Sequence, residues 1–216
     1  MRWLRAQHDS IGNRRKMAVK RNVIANYAGA GVAALAPMLS LPWYLQALGH
    51  QQYGLIAVIA MFQTLLGLLD AGMGQALVRE FAVRFENIAG QRRSVAALLF
   101  AFERVYWGFA WCAAGALALA AGPLAGHWLR LGDMPSTVGE MAIFGAAAIF
   151  AFQFPGSVYR SLLVGAQAQV ALNALIFAGT LLRHLGGVLV VVSVPHIGAY
   201  LVWHAVVALL ETLARR

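Results

Sequence analysis

The chain of 216 residues is 61% hydrophobic and only 12% charged, whereas a soluble domain is roughly 45–50% apolar and about 25% charged. A water-soluble fold cannot hide that much apolar surface. The formal net charge of +9 therefore has to be read against a membrane and not against nucleic acid, because there is no polar domain on which a basic patch could sit. The only cysteine, Cys112, lies inside an apolar run, which excludes a disulfide framework or a cysteine metal cluster within one chain.

The first 21 residues carry seven Lys or Arg and read as a basic cytoplasmic tail (residues 1–21). From Asn22 through Leu69 there are 48 residues without Asp, Glu, Lys or Arg, and one bilayer crossing takes about 20 residues at 1.5 Å rise each. That stretch is too long for a signal-peptide core and predicts two retained helices. Gly49-His50-Gln51-Gln52 is its only polar break, so helix 1 is expected over Val23–Leu48, kinked by Pro37 and Pro42, and helix 2 over Tyr53–Val78. Further apolar runs predict helix 3 at Val105–Leu124, helix 4 at Met141–Val158 with Pro155 inside it, helix 5 at Val170–Val194 and, beyond Pro195, helix 6 at Gly198–Leu213. Backbone groups in hydrocarbon must be bonded within their own segment, so the fold class expected is an all-α polytopic bundle of about six transmembrane helices. It forms one domain over residues 22–213, with a basic end at 214–216, and the only small-residue spacing of note, Gly122 to Gly126, is a chance match in a chain with 22 Gly.

Orientation follows from the basic residues, which accumulate in cytoplasmic loops. Seven lie in the tail, with Arg79, Arg84, Arg92 and Arg93 after helix 2, Arg160 after helix 4 and Arg215 and Arg216 at the end, while the other side holds Arg130 alone. This asymmetry puts both termini in the cytoplasm and requires an even number of crossings.

Ionisable groups at membrane depth each cost about 2.5–3.5 kcal/mol on insertion scales and mark functional candidates. Arg183 lies near the middle of helix 5 beside His184, and that helix has no acidic residue to pair with it. It reads either as an anion contact in a central cavity or as a structural partner of a carboxylate. Asp70 precedes Gly72 and Gly74, whose flexibility weakens the helix just after the carboxylate, and broken helices at membrane depth are where transporters place their ligands. Coupling to a proton or cation, pairing with an Arg, and an interfacial position are the readings open for it. Glu103 and Arg104 are expected as an interfacial pair at the entrance to helix 3. His184, His196 and His204 lack acidic or Cys company at metal-ligand spacing, so neither metal nor other cofactor is expected. No nucleophile elbow, phosphate-binding glycine loop or His-Glu-x-x-His occurs, and the loops are too short for a catalytic domain, so enzymatic activity is not expected.

The stretch Pro42 to Arg79 is similar to the first two helices of the polysaccharide transport family, the O-antigen and lipid-linked oligosaccharide flippases, at Leu48, Gly49, Tyr53, Gly54, Leu55, Asp70, Gly72, Gly74, Ala76 and Arg79. A second stretch, with Pro155, Tyr159, Leu163, Gly165, Gln167 and Asn173, resembles the loop between helices 4 and 5, and the segment from Pro195 resembles the sixth helix. The resemblance implies the N-terminal six-helix lobe of a twelve-to-fourteen-helix exporter, with two bundles around a central cavity. It implies translocation of a polyprenyl-pyrophosphate-linked oligosaccharide across a bacterial inner membrane for surface polysaccharide synthesis. The expected partners are that lipid-linked sugar, membrane lipids and a second six-helix bundle, supplied by another chain or by a C-terminal half that this sequence lacks. Arg183, Arg79, Asn173 and Asn26 are the expected substrate contacts, and Asp70, Gly72 and Gly74 the expected coupling or gating residues. An extrusion-type cation or drug antiporter and a truncated, non-transporting half-bundle are the alternatives; the antiporter would be expected to carry acidic residues deep in the membrane.

Overall fold

The computed structural model describes the backbone of residues 2–70, 72–86 and 91–216, and the side chains of residues 27, 29–70, 72–85 and 93–216. Helices α1 (Arg2–Gly67), α2 (Met73–Glu86), α3 (Gln91–Leu119), α4 (Ala121–Pro123), α5 (Ser136–Gln153), α6 (Gly156–Gly165), α7 (Gln169–Leu181), α8 (Gly187–Ser193) and α9 (Ile197–Arg215) follow one another, with no strand among the described residues. Five helical stretches are long and apolar enough to cross a membrane, 29–70, 93–119, 136–165, 169–193 and 197–215. The protein is thus a multi-helix, membrane-type α-fold. Residues 2–21, expected as a tail, are helical and continuous with α1.

The first of these stretches is not one rod. Gly49 stands at φ 73° and ψ 168°, a region that essentially only glycine occupies. A Cβ at Gly49 would meet nothing within 4 Å, so the dihedral angle and not crowding demands glycine there. The arm before Gly49 runs parallel to α7–α8: Gly29 lies against Asn173, Ser40 against His184 and Tyr44 against Gly187. The arm after it heads back, with Gln52 accepting from Ile197 N–H, Gln63 donating to Ala146 C=O and Asp70 meeting Tyr106 of α3. The polar break read from the sequence is therefore a reversal of the chain.

The core is organised on α5. In its most apolar window, running on into α6, 61% of residues are buried, more than in any other membrane-type stretch. Its sequence explains this: Gly139, Ala142, Ala146, Ala147 and Ala151 are buried and small, so neighbouring helices approach closely, as small residues allow in membrane bundles. Pro155 ends it, because proline has no N–H to continue the ladder. Hydroxyls from Thr212 and Ser157 donate to Phe152 C=O and Phe154 C=O at 2.7 Å each, satisfying carbonyls around the kink.

Two elements extend beyond their apolar runs. α3 begins at Gln91 and not at Val105, because hydropathy registers only the part that suits hydrocarbon, while its first turns carry Arg92, Arg93, Glu103 and Arg104. The basic end at 214–216 is folded in: α9 continues to Arg215, and Arg215 and Arg216 are ion-paired to Glu211 and Glu103.

Candidate functional site

A cavity of about 790 Å³ opens between the first arm of α1, the α5–α6 junction, α7 and α9. Its wall includes Gly29 of α1, Gln153 and Arg160 near the α5–α6 junction, Asn173 of α7, and Arg183, Glu211 and Arg215. The backbone sets this up in two ways. Between α7 and α8, residues Leu182–Gly186 form a π-helical turn, a local widening frequently found at functional sites; Arg183 lies in it. Opposite, Gly179 makes room for the carboxylate, since a Cβ there would lie 2.6 Å from Glu211 Oε1.

Arg183 Nη2 donates to Glu211 Oε1 at 3.0 Å, and Arg215 Nη2 to Glu211 Oε2 at 2.9 Å. One carboxylate thus serves two guanidinium groups, and all three side chains are less than a fifth exposed. Arg183 Nη1 also reaches Gln153 Oε1 at 3.4 Å. Arg160 lines the same cavity with no ion pair among the described residues, and Arg215 Nε is buried without a hydrogen-bond partner among them. Among the described residues the cavity wall therefore holds three guanidinium groups against a single carboxylate. The carboxylate missing from helix 5 comes from the next helix, so the pairing left open for Arg183 is made with Glu211.

Asn173, 9% exposed, also lines this cavity, its Nδ2 donating to Gln169 C=O at 2.8 Å. The fold thus brings Arg183 and Asn173 together. Arg79 is exposed on α2 and is not part of the wall. The side chain of Asn26 lies outside the described residues. Behind Arg183 a smaller space of about 260 Å³ is lined by Gln63, Gln153, His184, Tyr200 and His204. The imidazole of His204 donates from Nδ1 to Tyr200 C=O at 2.9 Å.

Asp70, Gly72 and Gly74 form a separate site on the other side of the bundle. Residues Leu68–Asp70 tighten into a 3-10 turn, Gly72 takes φ 81°, and α2 restarts at Met73. Asp70 Oδ2 accepts from Gly74 N–H at 3.1 Å, satisfying a donor of the new helix, while Oδ1 accepts from Tyr106 O–H at 2.6 Å. Ser161 closes the junction by donating to Gly74 C=O at 3.0 Å. The partners of Asp70 among the described residues are thus a tyrosine and the backbone, with no arginine.

Glu103 is buried and accepts from Tyr159 O–H at 2.6 Å and Arg216 Nη2 at 3.1 Å. Arg104 is not its partner. Neighbouring residues on a helix point apart, and Arg104 is exposed, its Nε 3.4 Å from Phe100 C=O. No group of three or more His, Cys, Asp or Glu is placed to hold a metal ion among the described residues.

Glu211, Arg215, Arg160 and Gln153 were not singled out from the sequence as site residues. The signal available was Glu211 itself, a lone carboxylate in the apolar run of α9, four residues before Arg215. Comparison with protein-family models, with curated proteins and with solved structures gave no match.

Proposed function

We propose that this chain is the six-helix lobe of a transporter that moves a polyprenyl-pyrophosphate-linked oligosaccharide across a bacterial inner membrane, and that the cationic cavity receives the pyrophosphate. The observation that carries this reading is the charge of the cavity wall, with Arg160, Arg183 and Arg215 against Glu211 alone. Guanidinium groups hold phosphate oxygens through paired, charge-assisted hydrogen bonds. Arg160, exposed on the cavity wall and without an ion pair among the described residues, is a donor that such an anion would satisfy. The similarity of the Pro42–Arg79 and Pro155–Asn173 stretches to the polysaccharide transport family points to the same substrate class. A cation antiporter fits less well, because the one carboxylate of the cavity already has both oxygens taken by arginines.

In this reading Gly49 divides the apolar stretch 29–70 into two crossings, residues 29–48 and 50–70, each about the 20 residues a bilayer requires. Six crossings then place both termini in the cytoplasm with the basic residues. A single bundle leaves the cavity open along one side, and rocking access needs an opposing bundle.

The test is reconstitution. The chain alone should flip a lipid-linked sugar no faster than protein-free vesicles. Combined with a second six-helix bundle it should support surface polysaccharide export, and Arg183→Ala and Arg183→Lys should both reduce that export at unchanged protein level. Normal export by Arg183→Ala at wild-type abundance would remove Arg183 from the substrate site.

A further inference from the structure

Next to the cationic cavity, on the same pair of elements, lies a second concavity of very different chemistry. About 780 Å³ of space is bounded by residues 32–43 of α1 and 181–192 of the α7–α8 strand of helix. Val32, Leu35, Leu39, Leu185 and Leu189 are among its lining residues, and its two polar residues, Ser40 and His184, face each other at 3.3 Å. Ser40 Oγ also donates to Pro37 C=O at 2.9 Å, so these polar groups are engaged locally.

Cavity and groove are consecutive along one seam. On α1 the cavity wall takes Gly29, Ala30 and Ala33, and the groove begins at Val32; on the other side the cavity ends at Thr180 and Arg183, and the groove begins at Leu181 and His184. The eleven residue steps from Val32 to Trp43, at 1.5 Å each, give the groove a length of roughly 16 Å. Leu39 is 72% exposed and Leu189 69%, so the rest of the bundle does not fill it.

We infer that this groove seats the phosphate-proximal part of the polyprenyl chain whose pyrophosphate occupies the cationic cavity. The inference rests on the anion reading of that cavity. It commits to the substrate's own chain because of the order along the seam: an anion-binding end toward the cytoplasmic terminus of α1, then an apolar end toward the bilayer centre. This is the polarity of a lipid lying in the cytoplasmic leaflet, with its head outermost. A zwitterionic bilayer lipid would gain little from three arginines at one end of its groove, and an anionic one is separated from the pyrophosphate lipid by competition.

Full-length protein in nanodiscs is photolabelled with farnesyl pyrophosphate carrying a diazirine on its terminal isoprene unit, and the labelled peptides are mapped. Labels should fall within residues 32–43 or 181–192, and unlabelled farnesyl pyrophosphate should compete while phosphatidylethanolamine and phosphatidylglycerol do not. Leu39→Trp and Leu185→Trp, at exposed positions, fill the groove and should weaken farnesyl pyrophosphate binding about tenfold, as expected for roughly two methylenes kept out of an apolar contact. Inorganic pyrophosphate, which has no tail, should bind these variants as it binds the wild type. Labels on other helices, equal competition by either phospholipid, or unchanged farnesyl pyrophosphate affinity in both variants would overturn the inference. If farnesyl pyrophosphate labels the groove but inorganic pyrophosphate does not bind at all, the groove stands and the anion reading of the cavity fails. The labelling map is read on unmodified protein, so it decides the question even where a tryptophan variant does not fold.

Discussion

The bundle contains two charged regions built on opposite principles. Around Asp70 and Glu103, on the α2–α3–α6 side, every carboxylate is answered: Asp70 by Tyr106 and the Gly74 backbone, Glu103 by Tyr159 and Arg216. Around Glu211, on the α1–α7–α9 side, three described guanidinium groups face one described carboxylate, while a buried guanidinium nitrogen without a partner among the described residues occurs in both regions, Arg215 Nε here and Arg84 Nη1 on α2. A satisfied network fixes helix positions, and Asp70 forms a latch between the start of α2 and Tyr106 of α3. Arg160, exposed and without an ion pair among the described residues, stays able to meet an anion.

Glu211→Ala should have the largest effect. It strands two largely buried guanidinium groups, and removing one partner of a buried pair costs on the order of 3 kcal/mol. Detergent-solubilised protein should show a clear loss of folded, monodisperse material in a thermal challenge. Tyr106→Phe should cost about 2 kcal/mol through the lost hydrogen bond to a charged acceptor, read in the same challenge, with anion binding intact in the protein that folds. Gly49→Ala imposes roughly 2 kcal/mol of backbone strain at a glycine-only conformation. It should lower abundance while reporter fusions at His50 still read periplasm and those after Arg93, Arg160 and Arg216 read cytoplasm; a periplasmic C-terminus would end the six-crossing reading. Arg160→Gln should alter stability by no more than about 0.5 kcal/mol, since its side chain is exposed and unpaired. If Glu211→Ala were tolerated as well as Arg160→Gln, the two-region contrast would collapse.

Much of the architecture was legible in the sequence because hydrocarbon imposes a simple rule: long apolar runs are helices, and Gly, Pro and polar clusters break them. The break at Gly49 and the weakened helix at Asp70–Gly74 were readable for that reason, whereas helix 4, expected to run through Pro155 to Val158, instead ends at Gln153, with α6 starting at Gly156. The polar first turns of α3 were not, since hydropathy falls silent once a helix leaves the apolar zone. The candidate site was half legible. Arg183 stood out by depth and Asn173 by motif, but Glu211 lies on the next helix, and the pairing across α7 and α9 depends on Gly179 and on the π-helical turn at Leu182–Gly186. One-dimensional periodicity indicates which residues share a face, not which face a neighbouring helix presents to it. The partner of Asp70 was not readable for a related reason: its tyrosine lies 36 residues away in the chain.

The most direct test of the division between a closed latch and an open cationic cavity is the equilibrium binding of inorganic pyrophosphate to purified protein, compared between wild type, Arg160→Gln and Asp70→Asn. Arg160→Gln should weaken binding about tenfold, the effect of losing a charge-assisted contact worth roughly 1.5 kcal/mol, while Asp70→Asn should bind as the wild type does. Binding unchanged by Arg160→Gln and weakened by Asp70→Asn would contradict the account.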